Sequence, residues 1–329
     1  MIISRTPLRI SFFGGGTDYP VWYREHGGAV ISATINKYSY INVRKLPPFF
    51  GYKNRIRYYL NEETQTISEI QHPSARECAR YLNISNGLEI VHSADLPAQS
   101  GLGSSSTFTV GMLHAFHTLQ NHMPTKRELA LQAIHIEQEK IGEAVGSQDQ
   151  AAAAFGGLNL IRFGGGQGLE VDPIAISRER LNLLQDNLLL VFTGFSRVAA
   201  DLAKIQISVT NKKKKELQNI MGLSHQALSI LNNPNESVDE FGKLLSDHWS
   251  IKRGLTQLIS SPKIDEIYEI GLKNGALGGK LLGAGGGGFM LFYARKEMHP
   301  VIQSALGASM FVPFRFEFTG SKIVYFSHD

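Results

Sequence analysis

Leu96-Pro97-Ala98-Gln99-Ser100-Gly101-Leu102-Gly103-Ser104-Ser105-Ser106-Thr107 is the stretch on which the fold turns. Two glycines bracket a leucine, three serines follow, and Phe108–Gln120 then reads as a helix. Glycine lacks Cβ and lets the backbone approach a ligand closely, while a helix N-terminus presents unpaired N–H groups and partial positive charge. That combination is an anion site of the kind phosphate occupies. The serine hydroxyls add donors and one candidate metal ligand. The plainer reading is a serine N-cap, but three serines in a row exceed what a cap requires.

Around that loop, strands and helices mix without strict βα alternation, which favours an α+β class over a parallel doubly wound sheet. Before it, Leu8–Phe13, Ala29–Ala33 and Tyr38–Val43 read as strands, broken by Gly14-Gly15-Gly16. Pro47–Gln71 reads as loops and edge strands, Ala75–Leu82 as a helix and Gly87–His92 as a strand. After it, Thr125-Lys-Arg-Glu128 is a capping box opening a helix to about Ile141. Gln150–Phe155 reads as helical, and Gly156–Ile174 as a hairpin around Gly164-Gly165-Gly166. The second half predicts a buried strand Asn187–Phe192 and helices over Val198–Leu231, Val238–Leu258 and Ile264–Asn274. An apolar strand Phe289–Tyr293, a short helix and terminal strands Phe311–Phe318 and Lys322–Phe326 follow. A boundary near Leu181–Asn187 divides the chain into domains 1–183 and 184–329.

Composition is that of a soluble enzyme. The 329 residues suffice for one large or two ordinary domains, and 43% apolar with 19% charged residues marks a globular chain. Met1-Ile-Ile-Ser-Arg5-Thr-Pro7 lacks the apolar stretch of a signal peptide, and no run reaches membrane-spanning length. The single Cys78 excludes an internal disulfide and fits a reducing compartment, so a cytoplasmic location with no membrane partner is expected. Net charge is a modest +4. The run Lys212-Lys213-Lys214-Lys215 wraps around a helical stretch and mostly faces water, polyanion binding being the sharper alternative. Zinc spacings and RNA-binding signatures are absent, so no nucleic-acid partner is expected.

Three glycine loops remain to be assigned. Gly283-x-Gly285-x-x-Gly288 matches the dinucleotide fingerprint in form, but a strand follows where that fingerprint needs a helix. Gly279-Lys280 is followed by Leu, so no Walker A sequence is present. Nucleotide phosphate therefore falls to the serine loop. In the first loop, Arg9-Ile-Ser-Phe-Phe-Gly14-Gly-Gly-Thr17-Asp18, Asp18 is suited to ligand hydroxyls with Thr17 assisting, or else closes an Asx turn. Between the loops, Glu137 on the capped helix and Asp149 after a glycine-bounded turn could hold Mg²⁺ and position an attacking hydroxyl. The alternatives are an exposed helix residue for Glu137 and an N-cap for Asp149.

In order, these loops resemble the three motifs of the GHMP kinases, the superfamily of galactokinase, homoserine kinase, mevalonate kinase and phosphomevalonate kinase. Thr6-Pro-Leu-Arg9…Gly14-Gly15-Gly16-Thr17-Asp18-Tyr19 resembles the first, Pro97…Gly101–Ser106 the second and Leu282–Gly288 the third. The Phe-Gly-Gly-Gly-Thr-Asp form of the first, with Val145–Ala153 and Phe192–Arg197, resembles the D-glycero-D-manno-heptose 7-phosphate kinases. L-fucokinase-type domains share a glycine-rich first motif, whereas galactokinases carry Glu and His where Gly15 and Gly16 stand. The resemblance implies a first domain like the second domain of ribosomal protein S5 and a ferredoxin-like second domain, with the site between them.

It also implies roles. Gly101, Leu102, Gly103, Ser104, Ser105 and Ser106 would hold ATP phosphates, Ser105 and Glu137 would ligate Mg²⁺, and Asp149 would be catalytic, with Arg9 beside it. Gly15, Gly16, Thr17, Asp18, Gly285 and Gly286 would line the substrate. A sugar phosphorylated at its far end needs a second anion pocket, for which Arg197 and Lys280 are the candidates, a surface ion pair being the alternative for each. The expected partners are ATP and a small sugar phosphate, with a homo-oligomer left open. The expected reaction forms heptose 1,7-bisphosphate for nucleotide-activated heptose. The alternatives are another anomeric sugar kinase, such as an L-fucokinase, or a non-catalytic sugar or nucleotide sensor.

Overall fold

The computed structural model describes residues 1–166, 168–195 and 199–327, the side chains of 199 and 200 excepted. Arg197 lies outside the described residues. Glycine punctuation and β-rich alternation produce strands β1 (Ile2–Phe13), β2 (Gly28–Lys45), β3 (Asn54–Arg57), β4 (Asn61–Thr64) and β5 (Leu88–Ala94). Strands β6 (Leu158–Phe163), β7 (Leu169–Pro173), β8 (Leu188–Phe192), β9 (Ala276–Leu281), β10 (Phe289–Ala294), β11 (Met310–Phe311) and β12 (Lys322–Phe326) follow.

Eight strands form one sheet, ordered β12-β1-β2-β5-β3-β4, with β6 and β7 attached through β2. The 18-residue β2 serves two partners, β6 along Gly28–Ala33 and β5 along Ser39–Lys45. The two strands expected over Ala29–Val43 are thus one. Its first eight residues are buried, because helices cover both faces of that half. On one face lie α2 (Pro73–Tyr81), α3 (Ser104–Leu119), α4 (Lys126–His135) and α5 (Gln148–Phe155), with α3 and α5 directly against β1 and β2, while α1 (Pro20–His26) buries Trp22 among residues of the second half. Helix α3 is buried on every side from Ser106 to Thr118, as a central core helix must be, with the hydroxyls of Thr107, Thr109 and Thr118 bonded to backbone carbonyls.

Helix α6 (Arg178–Asp186) leads into the second half. There α7 (Ala199–Val209), α8 (Lys214–Asn232), α9 (Asp239–Arg253), α10 (Pro262–Lys273) and α11 (His299–Leu306) accompany an antiparallel sheet β11-β8-β10-β9. Helices α8 and α9 also touch β1, and Phe12 and Phe13 meet Phe241 of α9 edge-on at 5.3 and 5.0 Å between centroids. One apolar cluster therefore runs from the first sheet into the second. The arrangement is α+β, as expected.

Four further expectations change. The helix over Val198–Leu231 is broken by a 3₁₀ turn at Thr210–Lys212. Strand β9 was unexpected, because Gly278 and Gly279 lower its strand propensity; a Cβ there would lie 1.9 Å from Gly242 O and 2.7 Å from Phe292. Phe311–Phe318 is a strand only over Met310–Phe311, with one further bridge between Ile35 and Phe316. The strand Lys322–Phe326, assigned by position to 184–329, pairs instead with β1 in the first sheet. Among the described residues no helix is long and apolar enough to cross a membrane.

Two histidines tie this core to pH. His92 faces Ser39 Oγ at 3.0 Å, and His114 Nδ1 sits 3.0 Å from Ser321 Oγ, which reaches Thr6 on β1. Burial first, and neighbouring His72 or His117 second, push both imidazoles down to about 4. The unfolded chain binds these protons near pH 6.5 and the folded chain does not, so stability falls as pH drops from about 6.5 to about 4. Urea titrations should show a loss on the order of 1–3 kcal/mol per histidine, and His114→Gln should flatten that slope. An unchanged slope in the variant would refute the assignment.

Candidate active site

Strand β1 delivers Arg9, 4% exposed, to the mouth of the serine loop. Its Nε and Nη2 donate to the two carboxylate oxygens of Asp149 at 2.7 Å each, and Nη1 donates to Gly101 O at 2.6 Å. Its backbone N–H donates to Leu102 O at 3.1 Å. This fork fixes both the orientation and the distance of the carboxylate, as a lysine could not. Gly103 permits the fit: its φ is +77°, and a Cβ there would lie 3.2 Å from Arg9 Cγ and 3.3 Å from Asp149 Oδ2. Asp149 stands in the first turn of α5, with its side chain 24% exposed.

Asp18 lies close by and is buried. Its Oδ1 accepts the Gly16 N–H at 2.9 Å, and its carbonyl accepts Ser147 N–H at 2.9 Å. Burial, opposed by the Gly16 amide and reinforced by Asp149, raises its carboxyl pKa above the ordinary range. The space for it exists because residue 146 is glycine, where a Cβ would lie 1.8 Å from Asp18 Oδ2. Thr17 is turned away from any ligand: its hydroxyl donates to Gly14 O at 2.8 Å, which holds the glycine turn. Gly15 is buried and Gly16 partly exposed.

Helix α3 is capped by Gly103, with no side-chain cap, so its first-turn amides carry no side-chain partner. Ser104 is half-buried and Ser105 exposed, while Leu102 is in the core. The serine that meets Glu137 is Ser106, its hydroxyl donating to Oε2 at 2.8 Å, and Gln150 Nε2 donates to the same oxygen at 2.5 Å. Glu137 sits in a π-helical turn, Ile136–Ile141, where the predicted helix was regular. Such turns redirect side chains and recur at functional sites. Glu137 is fully buried, which pushes its carboxyl up to about 7 against the opposing hydroxyls, and its Oε1 has no hydrogen-bond partner. A buried, unpartnered carboxylate oxygen beside a hydroxyl suits a hard divalent cation. Among the described residues no group of three His, Cys, Asp or Glu could hold a metal, so phosphate oxygens and water would complete the shell.

The third glycine loop closes against the second. A Cβ on Gly101 would lie 2.6 Å from Leu282 O, one on Gly283 2.6 Å from Gly101 Cα, and one on Gly288 2.3 Å from Ser100 O. Gly285 and Gly286 are buried, and the Gly286 N–H is engaged by Ile259 O at 2.9 Å; Gly283 and Ala284 are the partly exposed members of the loop. Lys280 is 1% exposed and donates to Phe12 O at 2.6 Å beneath the first loop. It is therefore a core lysine rather than an accessible anion ligand. A residue that composition did not single out is Lys252 of α9, which is buried and donates to Gly283 O. Burial first, then Arg9, lower its ammonium to about 8 against the pull of Asp18 and Asp149. Nothing in its local sequence separates it from a surface lysine.

Two outcomes follow from this packing. Gly146→Ala should displace Asp18 and lower kcat/KM on the order of 10²-fold with the fold intact; circular dichroism with steady-state kinetics checks it. For Glu137, the folded state holds a proton between about pH 4.5 and 7 that the unfolded state has released, so its burial destabilises the metal-free protein as pH rises through that window. Glu137→Gln should remove that loss, a gain on the order of 2–3 kcal/mol at pH 8 read by thermal melting. A variant less stable than wild type at pH 8 would count against it.

The family description "GHMP kinases N terminal domain" matches residues 70–157, and "GHMP kinases C terminal" matches residues 214–310, together more than half of the chain. The chain is 29% identical over 318 residues to the D-glycero-alpha-D-manno-heptose 7-phosphate kinase of Campylobacter jejuni, covering 89% of each. It is 26% identical to the bifunctional fucokinase/GDP-fucose pyrophosphorylase of Arabidopsis thaliana, over 88% of this chain and 29% of that one. The crystal structure of a D-glycero-D-manno-heptose 1-phosphate kinase from Bacteroides thetaiotaomicron superposes with a TM-score of 0.81 at 24% identity, over 99% of this chain and 100% of that one. The first match contains the serine loop and the second contains the third glycine loop, and the chain belongs to the GHMP kinase family.

Proposed function

We propose that the protein transfers the γ-phosphoryl group of ATP to the anomeric hydroxyl of D-glycero-D-manno-heptose 7-phosphate, forming the 1,7-bisphosphate on the route to nucleotide-activated heptose. The observation that carries the transfer chemistry is the bidentate Arg9–Asp149 pair beside the uncapped start of α3. The likeness to the Campylobacter heptose 7-phosphate kinase supports the choice of acceptor.

The first-turn amides of α3 and the hydroxyls of Ser104 and Ser105 hold the ATP phosphates. Ser106 and Glu137, rather than Ser105 and Glu137, would hold Mg²⁺, which when bound neutralises phosphate charge as transfer proceeds. Asp18 accepts from sugar hydroxyls and sets the acceptor beside Asp149. The acceptor oxygen bonds to the γ-phosphorus as the bond to the β-phosphate oxygen breaks, and its proton passes to Asp149 Oδ. The transition state is largely loose, so orientation by the Arg9 clamp contributes more than basicity. Lys252 adds positive charge at the seam of the second and third loops.

Asp149→Asn keeps the shape but loses the proton acceptor and half of the fork. Turnover should fall about 10²–10⁴-fold with ATP binding retained. A panel of sugars and sugar phosphates, followed by ADP release and ³¹P NMR, should show an anomeric phosphate selectively with heptose 7-phosphate. Turnover confined to a plain deoxyhexose would move the assignment to an L-fucokinase-like enzyme. Near-wild-type turnover of Asp149→Asn would remove its catalytic role.

A further inference from the structure

Lys252 lies in the last turn of α9, 5% exposed, and its ammonium donates to the carbonyl of Gly283. A helix C-terminus favours a cation, but one neutral carbonyl does not make up for the water a buried ammonium has lost. What surrounds Lys252 does. Gly283 packs on Gly101 of the serine loop, where a Cβ would lie 2.6 Å from Gly101 Cα, and Gly101 O takes Arg9. The next carbonyl, that of Ala284, takes Gln206 Nε2 at 2.5 Å. Gln206 Oε1 in turn lies 3.5 Å from Tyr19 Oη, the residue after Asp18 in the first loop. The three glycine loops thus meet at Lys252.

Five charged or titratable groups face its ammonium: Arg9 from β1, Asp18 from the first loop, Asp149 from α5, Lys280 from β9 and His248 one turn earlier on α9. Arg9 has its fork on Asp149 and its third nitrogen on Gly101 O, while Lys280 donates to Phe12 O. Asp149 therefore has a cation of its own. Asp18 holds a backbone amide, that of Gly16, and burial raises its carboxyl pKa. Lys252 has the donors to spare, because an ammonium carries three. Burial first, then Arg9, lower it to about 8, while Asp18 and Asp149 help to hold its proton on. Coupling between two charges is mutual, so the ammonium favours loss of the Asp18 proton in return. Only the ionised carboxyl offers both oxygens as full acceptors.

We propose that Lys252 is a positioning residue for phosphoryl transfer, its ammonium keeping Asp18 ionised at the junction of the loops so that both carboxylate oxygens accept from the acceptor sugar. The inference rests on the sugar-kinase reading above and deepens it. The test is kcat/KM for heptose 7-phosphate, at saturating Mg²⁺-ATP, of wild type, Lys252→Met and Lys252→Arg as a function of pH. Titration of the substrates is common to all three proteins. Below about pH 7, where the wild-type lysine is charged, Lys252→Met should lose about 10–100-fold. Wild type gives up the same charge as pH rises through about 8, so the deficit should shrink there. Lys252→Arg, which keeps its charge, should follow wild type on the acid side and exceed it on the alkaline side. A Lys252→Met deficit of one size at every pH marks a purely structural hold on Gly283 and overturns the inference, as does wild-type activity in that variant. If Lys252→Met does not fold, the arginine variant decides, and an alkaline fall identical to that of wild type overturns the inference. Each of these outcomes leaves the proposed function standing. A wild type that does not turn over heptose 7-phosphate overturns the proposed acceptor and this inference with it.

Discussion

One guanidinium joins the parts of this site. Arg9 sits on the first strand, yet its three nitrogens reach Asp149 on a helix 140 residues later and a carbonyl of the serine loop 92 residues later. Because the fork is planar and rigid, fixing β1 also fixes the spacing between the phosphate loop and the carboxylate. The dependence continues outward. Gly101, whose carbonyl Arg9 holds, is in backbone contact with Leu282 and Gly283, so the third loop takes its place from the second. Remove the clamp and three loops from distant parts of the chain lose their common reference.

Electrostatics around that clamp is deliberately unbalanced. Arg9, Lys252 and Lys280 are buried within reach of one another, and their mutual repulsion adds to desolvation in lowering both ammonium pKa values. His248, buried beneath them, is driven the same way by burial and by the two lysines, well below its ordinary range. Positive charge held at this depth is the electrostatic complement of an anion. Glu137 is the mirror case. A carboxylate in the dark of the core, with one oxygen unpartnered, is relieved by a cation.

Much of this was legible in the residues, because glycine and proline constrain the backbone whatever surrounds them. The serine loop, the α3 helix behind it and the positions of Asp18 and Asp149 all read from such local signals. What did not read was decided by approach between distant segments. Gly278 and Gly279 look like strand breakers until α9 and Phe292 are seen pressed against them. Thr17 looks like a ligand residue until its hydroxyl is found closing the turn on Gly14. Of three adjacent serines, the one aimed at Glu137 depends on the rotational phase of α3 against the core, which no local pattern reports. Lys252 reads as a surface lysine, and Lys280 as an anion ligand or a surface ion pair, because nothing in their neighbours announces the depth at which they lie.

The pairing of β12 with β1 has a consequence for how the enzyme is made. The strand that carries Arg9 is synthesised long before its outer neighbour, Lys322–Phe326. At ordinary elongation rates β1 has no partner on that edge for a time on the order of tens of seconds. Apolar strands with open edges attract the edges of other chains. During that interval the nascent chain is exposed to misassembly through this edge. Completion of the first sheet thus waits on a strand made long after the one it flanks.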